Sequence, residues 1–302
     1  MVRIVSLLAS ATEIVCALDR GHLLVGRSHE CDNPAWVRTL PSCSQPAFDV
    51  SGSSGEIDAE VGRRIRAGEP LYRIDADLIR ELHPDVIFAQ EHCEVCAVTP
   101  GDMQRDGACI PGARIVSLSP GSLSGVFDSI VQVADALDIS GTGRELVSHE
   151  KSRLDRLRNC TRRFARPTVV VLEWVDPFFS LGNWGPELVD IAGGELLLGN
   201  PDRHSVAIPA ECLRAADPEF LIVAPCGFDL DRACQELAVL RHHPWWEQLR
   251  AVRAGKVVFA DGNLFFNRSG MTLVDTAEIV AEILHRTADA NSRWRWLSDV
   301  RL

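Results

Sequence analysis

The residues best suited to chemistry fall directly after apolar runs. Val86-Ile87-Phe88-Ala89 reads as a buried strand, and His92, Cys93 and Cys96 follow it at once. Leu23-Leu24-Val25-Gly26-Arg27 runs in the same way into Ser28-His29-Glu30-Cys31-Asp32. In open α/β sheets the carboxyl edge of the strands lines the crevice where ligands bind, so thiols and imidazoles there are placed for chemistry rather than packing. His29, Cys31, Cys93 and Cys96 form a donor set suited to a transition metal, zinc or iron, if the two loops meet. The Cys93-x-x-Cys96 pair equally suits a redox couple or two independent thiols, although Glu91 and Glu94 beside it oppose thiolate formation.

Three further strand-like runs end on polar or aromatic groups. Thr168 to Leu172 leads into Glu173-Trp174, Phe220 to Ala224 into Pro225-Cys226-Gly227-Phe228, and Lys256 to Ala260 into Asp261 and the run Asn263-Leu264-Phe265-Phe266-Asn267. Trp174, Trp184, Phe228, Phe265 and Phe266 offer flat faces to a large planar ligand, beside Asn183, Asn263 and Asn267. Core packing is the competing role for each ring. Were the site catalytic, Glu30, Asp32 or Glu173 would be the general base and Cys93 the nucleophile. No glycine-rich phosphate loop, Gly-x-Ser-x-Gly elbow or His-Glu-x-x-His motif is present.

These loops need elements to hold them. Val2 to Leu8 reads as a first strand, and Ser10 with Glu13 three residues later is a capping-box pattern opening a helix whose free N–H groups suit an anionic ligand group. Residues 41 to 56 read as loop, Ile57 to Ala67 as weakly helical, and Asp75 to Leu82 as a helix capped by Asp75. Ser122 to Leu137 carries one apolar stripe, Val126, Ile130, Val133 and Leu137. Gly143 to Arg163 is a mostly polar helical stretch of the kind that bridges domains. In the second half Leu181 to Pro186 reads as loop before a helix Glu187 to Ala192, and Thr272 to His285 as a closing helix. Strands alternate with helices on both sides, which predicts α/β architecture: two αβ lobes with mostly parallel sheets, joined by a rigid helix, with the ligand cleft between the lobes. The expected division is 1–140, connecting helix 141–166, second lobe 167–286 and a tail 287–302 carrying Trp294 and Trp296.

Composition narrows the function. With 302 residues, 46% hydrophobic and 24% charged, the chain has ordinary globular proportions for two domains. A formal net charge of −11 opposes a nucleic-acid partner. No run approaches the roughly 20 apolar residues of a membrane-inserted helix. Glu13 breaks the apolar stretch Met1 to Leu18, so a signal peptide is not expected, and the ten cysteines then fit a cytoplasmic protein with reduced thiols. A periplasmic or extracytoplasmic location is the alternative.

The segments Arg3 to Ile14, Leu82-His83-Pro84-Asp85-Val86-Ile87, Gly193-Gly194 and Ala216-Asp217-Pro218-Glu219 resemble the vitamin-B12 and iron-siderophore binding proteins of ABC importers, the class III substrate-binding family. Ser28 to Asp32, Cys93 to Val98, Leu172-Glu173-Trp174 and Pro225 to Phe228 are similar to runs of a branch labelled cobalamin-binding. The resemblance covers about Arg3 to His285. It implies two lobes with little relative motion, a cobalamin or related tetrapyrrole or another metal chelate held in the cleft without chemistry, and docking on an ABC permease through one carboxylate per lobe, here Asp77 and Glu211. On that reading the small-molecule ligand is contacted by Ser10, His29, Glu30, Cys31, Asp32, His92, Cys93, Glu173, Trp174, Asn183, Trp184, Cys226, Phe228, Asn263, Phe265, Phe266 and Asn267.

Overall fold

The structure, a computed structural model, describes residues 2–90 and 97–301. In the first lobe, strands β1 (Ile4–Ser6), β2 (Leu24–Arg27), β5 (Val86–Gln90) and β6 (Arg114–Leu118) form an all-parallel sheet in the order β2-β1-β5-β6. A separate antiparallel pair, β3 (Ser44–Pro46) and β4 (Tyr72–Ile74), stands between β2 and β5 in the chain. Every residue of β1 and β5 is buried, as expected of parallel strands covered on both faces. The covering helices include Ala9–Ala17 and Leu123–Ala136, whose Val126, Ile130 and Val133 face the core as their spacing requires.

The second lobe is a six-stranded sheet of β7 (Thr168–Trp174), β8 (Phe179–Asn183), β9 (Glu195–Pro201), β10 (Phe220–Val223), β11 (Val257–Ala260) and β12 (Trp294–Trp296). The order is β12-β11-β10-β7-β8-β9, parallel around β7, β10 and β11 and antiparallel where β8 meets β7 and β12 meets β11. Two strands were hidden by glycine. Gly182 reads as loop, yet it lies in β8, where a Cβ would meet the Ser205 nitrogen at 2.3 Å. The glycine therefore permits close backbone approach rather than a turn. Gly199 in β9 is crowded in the same way, by the Leu196 side chain and the Leu181 carbonyl. The expected tail is part of the sheet: Trp294 is fully buried and β12 closes the edge of β11.

The connecting helix is Ser140–Thr161, packed on Leu123–Ala136 and on the closing helix Leu273–His285. From it Arg153 reaches Asp275 at 2.6 Å and Glu278 at 2.9 Å. The lobes also share a core. Trp184, Leu188, Ile191, Leu273, Val274 and Ala277 of the second lobe belong to the same apolar cluster as Leu8, Ile14 and Val126 of the first. Among the described residues no helix is long and apolar enough to cross a membrane.

Candidate functional site

The carboxyl end of β2 delivers the first group of expected site residues. His29 is held by its Nδ1, 2.9 Å from Ser44 Oγ on β3, and its ring lies 5.4 Å from that of Tyr72 on β4. Its Nε2 stands 3.2 Å from Glu30 Oε1. Cys31 points the other way. It is fully buried, accepts a hydrogen bond from Thr12 Oγ1 at 2.9 Å, and points its thiol at the Ser6 carbonyl, 3.6 Å away. Burial pushes that thiol up, since a thiolate there would have no water around it.

Ser10 and Glu13 do not form a capping box. The helix opens one residue before Ser10, with Leu8 at its cap, so Ser10 sits inside the first turn, where it accepts from Ser269 Oγ at 3.3 Å. Glu13 reaches across the lobe boundary instead, accepting from Arg268 Nη1 at 3.0 Å and the Met271 N–H at 3.0 Å, with Asn33 Nδ2 at 3.3 Å. Arg268 also stands 2.7 Å from Asp32 Oδ1, and Asn263 Nδ2 donates to Asp32 Oδ2 at 2.7 Å. The same guanidinium donates to the Asn263 Oδ1 at 2.8 Å and the Glu30 carbonyl at 3.3 Å. One arginine thus ties the first helix and the loop after β2, both of the first lobe, to its own segment of the second. The two carboxylates respond differently. Burial outweighs Arg268 at Glu13 and raises its carboxyl. At Asp32 burial also acts upward, but Arg268, Asn263 and Arg38 together overcome it and hold the group below the usual carboxylate range.

On the other side, Glu173 and Trp174 end β7. Glu173 is buried, accepts from Ser205 Oγ, and is pushed up to about 8 by loss of water. The Trp174 indole N–H donates to the Ser54 carbonyl of the first lobe at 3.2 Å and to the Asp176 carbonyl at 3.1 Å. Its ring meets Phe228 edge-on at 5.2 Å, and the Arg232 guanidinium covers the Phe228 ring at 3.7 Å. Cys226 is exposed on the same turn, its N–H donating to the Glu173 carbonyl at 2.9 Å.

The remaining expected contacts serve the frame. Phe265 and Phe266 are buried in the second lobe's own core, and Trp184 in the shared one, where its N–H donates to the Phe266 carbonyl at 3.3 Å. Asn267 braces the Ala224 and Gly262 carbonyls at 3.0 and 2.9 Å. Asn183, at the end of β8, adopts a left-handed backbone with φ 53° and bonds through its N–H to the Arg203 carbonyl. The structure therefore brings Glu30, Asp32 and Asn263 to one junction, with His29 next to it against Ser44 and Tyr72, and Trp174, Phe228 and Cys226 to another. His92, Cys93 and Cys96 lie outside the described residues. Among the described residues no three of His, Cys, Asp and Glu gather as a metal-holding group. Arg268, Ser54, Arg232 and Glu236 were not foreseen. Their partners are distant in sequence, and the only local hint was the position of Arg268 and Arg232 just after strand-end loops. Asp77 and Glu211 are both exposed in the first turns of short helices, Ala76–Glu81 and Ala210–Ala216.

With this geometry in hand, the likenesses are informative. A family profile described as Periplasmic binding protein matches residues 4–264. The high-affinity heme uptake system protein IsdE of Staphylococcus aureus is 24% identical over 140 residues, 45% of this chain and 48% of that protein, so the chain spans about half the length of this curated relative. A periplasmic heme-binding protein from Pseudomonas aeruginosa superimposes with a TM-score of 0.73 at 20% identity, covering 97% of both chains. The periplasmic vitamin B12 binding protein BtuF of Vibrio cholerae does so with a TM-score of 0.66 at 20% identity, covering 94% of this chain and 96% of its own. The expected cytoplasmic location does not hold: the matching family and these structures are of periplasmic binding proteins. The interrupted apolar stretch forms strand β1 and the first helix of the fold, as its sequence reads. The chain belongs to the Periplasmic binding protein family.

Proposed function

We propose that this binding protein holds a metal tetrapyrrole, of the heme or corrinoid class, between its lobes and passes it to an ABC permease. The observation that carries the reading is the convergence of strand carboxyl ends from both lobes, with His29 from β2 and Trp174 from β7 beside loops that meet across the boundary. His29 is the metal-facing ligand on this reading. Ser44 fixes its Nδ1, and Nε2, which faces Glu30 Oε1 at 3.2 Å, becomes the coordinating nitrogen when the ligand displaces Glu30. Trp174 and Phe228 supply the aromatic wall for a macrocycle face. The names of the similar heme and vitamin B12 binders support the ligand class. Asp77 and Glu211, one exposed carboxylate on each lobe, are the docking points for a permease.

The test is native mass spectrometry with absorption spectroscopy on protein purified anaerobically from its own host. A bound heme or corrinoid whose metal-centred bands shift in His29→Ala is the expected result. A bare zinc or iron ion, lost on changing Cys93 and Cys96 to serine, would replace this reading with a metal site.

A further inference from the structure

The segment between β3 and β4 is built unlike the rest of its lobe. Its two feet are tied down: the Cys43 N–H bonds to the Arg27 carbonyl at 2.7 Å, the Asp75 N–H to the Cys43 carbonyl at 2.9 Å, and the Ile74 N–H to Asp106 Oδ2 at 3.1 Å. Between them runs the helix Ser54–Ala67, in which only Ser54 is buried. The helix contributes no side chain to the apolar clusters of the described residues, and Ile65 is 56% exposed. It nevertheless keeps its own shape. Ser53 and Glu56 form a full capping box, Gly68 ends it at φ 66°, and Arg63 and Arg64 pair with Glu60 and Glu69 along its surface.

What holds this helix down is polar and belongs to the other lobe. Ser54 donates through Oγ to Glu236 Oε2 at 2.5 Å and through its N–H to Glu236 Oε1 at 3.3 Å. Trp174 donates to the Ser54 carbonyl, and Arg232 donates to the carbonyls of Val50 and Gly52. A self-supporting helix with almost no apolar anchorage opens at low free energy. The lobes themselves are fused by the shared Trp184 cluster and the buried Arg268 links, whose opening would expose core and charge together. We propose that the helix Ser54–Ala67 is the gate of the interlobe site. Ligand passes when Ser54 releases Glu236 and Trp174, and Val50 and Gly52 release Arg232, while the lobes stay joined. The cargo in this statement rests on the tetrapyrrole reading; the motion does not.

Two experiments on the full chain test it. In hydrogen–deuterium exchange, residues 49–67 are expected to exchange as one fast unit, well ahead of the helices Ala9–Ala17 and Leu273–His285. Glu236→Ala removes a charge-assisted acceptor and should speed that unit alone by about tenfold. Ser54→Ala, the milder change, should do so by a smaller factor. Exchange at one common rate in all three helices, or acceleration of all three together, would overturn the gate. Stopped-flow binding with hemin and aquacobalamin as probes should then show Glu236→Ala raising association and dissociation rates by a similar factor, so that Kd moves less than either. Unchanged rates would overturn the gate while leaving the ligand reading standing. Binding of neither probe would count against the ligand reading and leave the exchange result to decide the gate.

Discussion

Replacing Arg268 by methionine tests the central junction most directly. Methionine keeps much of the aliphatic stem, so the change isolates the guanidinium. Its side chain is 7% exposed, and it faces Glu13, 1% exposed, at 3.0 Å and Asp32, 15% exposed, at 2.7 Å. Removing one partner from a buried ion pair costs about 3–5 kcal/mol, because the other charge is stranded. The cost falls mainly on Glu13. Asp32 keeps the Asn263 amide at 2.7 Å and the exposed Arg38 at 3.5 Å, whereas Glu13 keeps only Asn33 and one backbone N–H. Glu13 already has a raised pKa in the native protein, and losing Arg268 raises it further. A carboxyl raised on folding stabilises most below its unfolded pKa and loses that contribution as pH rises through the folded value. The variant should therefore be weakest at pH 7.5 and recover as Glu13 takes up a proton, by up to about 1.4 kcal/mol per pH unit on going to pH 5.5. Asp32, held low, loses its contribution only as pH falls through its depressed value, below that window. Urea unfolding followed by tryptophan fluorescence at the two pH values measures both quantities. Adding Glu13→Gln, a mimic of the protonated acid, should remove the pH dependence and restore part of the stability. A loss under about 1 kcal/mol at pH 7.5 with no pH dependence would show that Arg268 does not hold the lobes together.

Glu173, raised to about 8 by burial, favours the fold in its protonated form; that contribution is complete below the ordinary carboxyl value of 4.5 and disappears as pH rises to about 8. Glu173→Gln should accordingly flatten the decline in melting temperature between pH 5 and pH 8, and parallel profiles in the two proteins would refute the assignment. Trp294→Ala should cost about 3–5 kcal/mol, because the ring is fully buried where β12 closes the sheet; a chemical denaturation midpoint unchanged from wild type would show that the segment is a dispensable tail.

The strands that the sequence revealed and those it concealed differ in one physical respect. β5, β7, β10 and β11 are uninterrupted apolar runs because both faces of a parallel strand are buried, and such runs are legible without knowing their partners. β8 and β9 carry glycines where a neighbouring backbone or side chain crowds in, and glycine in isolation looks the same in a crowded strand as in a turn. β12 is only three residues long, pairs with β11 and buries Trp294 completely. The junction residues were harder still. Arg268 finds Glu13 across 255 positions and Ser54 finds Glu236 across 182, and no local periodicity records such a pairing. Reading polar residues at strand ends did find part of each junction, Asp32 and Asn263 from the two sides of one and Trp174 and Phe228 from one side of the other.

The aromatic residues show why a strand-end position alone does not assign a role. Trp184 follows β8 as Trp174 ends β7, yet Trp184 is enclosed by residues of both lobes while Trp174 remains half-buried. The difference follows from the topology. β8 runs antiparallel to β7, so their chain ends point in opposite directions, and the residue after β8 starts a helix that packs into the shared core. Trp174 instead leaves the parallel part of the sheet on the side where β10 and β11 also end. A ring that fuses the lobes cannot also yield to a ligand without unpacking them. Trp174 is free of that duty, since its polar contact is a single N–H shared between the Ser54 and Asp176 carbonyls. It can exchange the Ser54 contact for a ligand contact at little cost, which makes it the aromatic group most able to serve the gate and the cargo in turn.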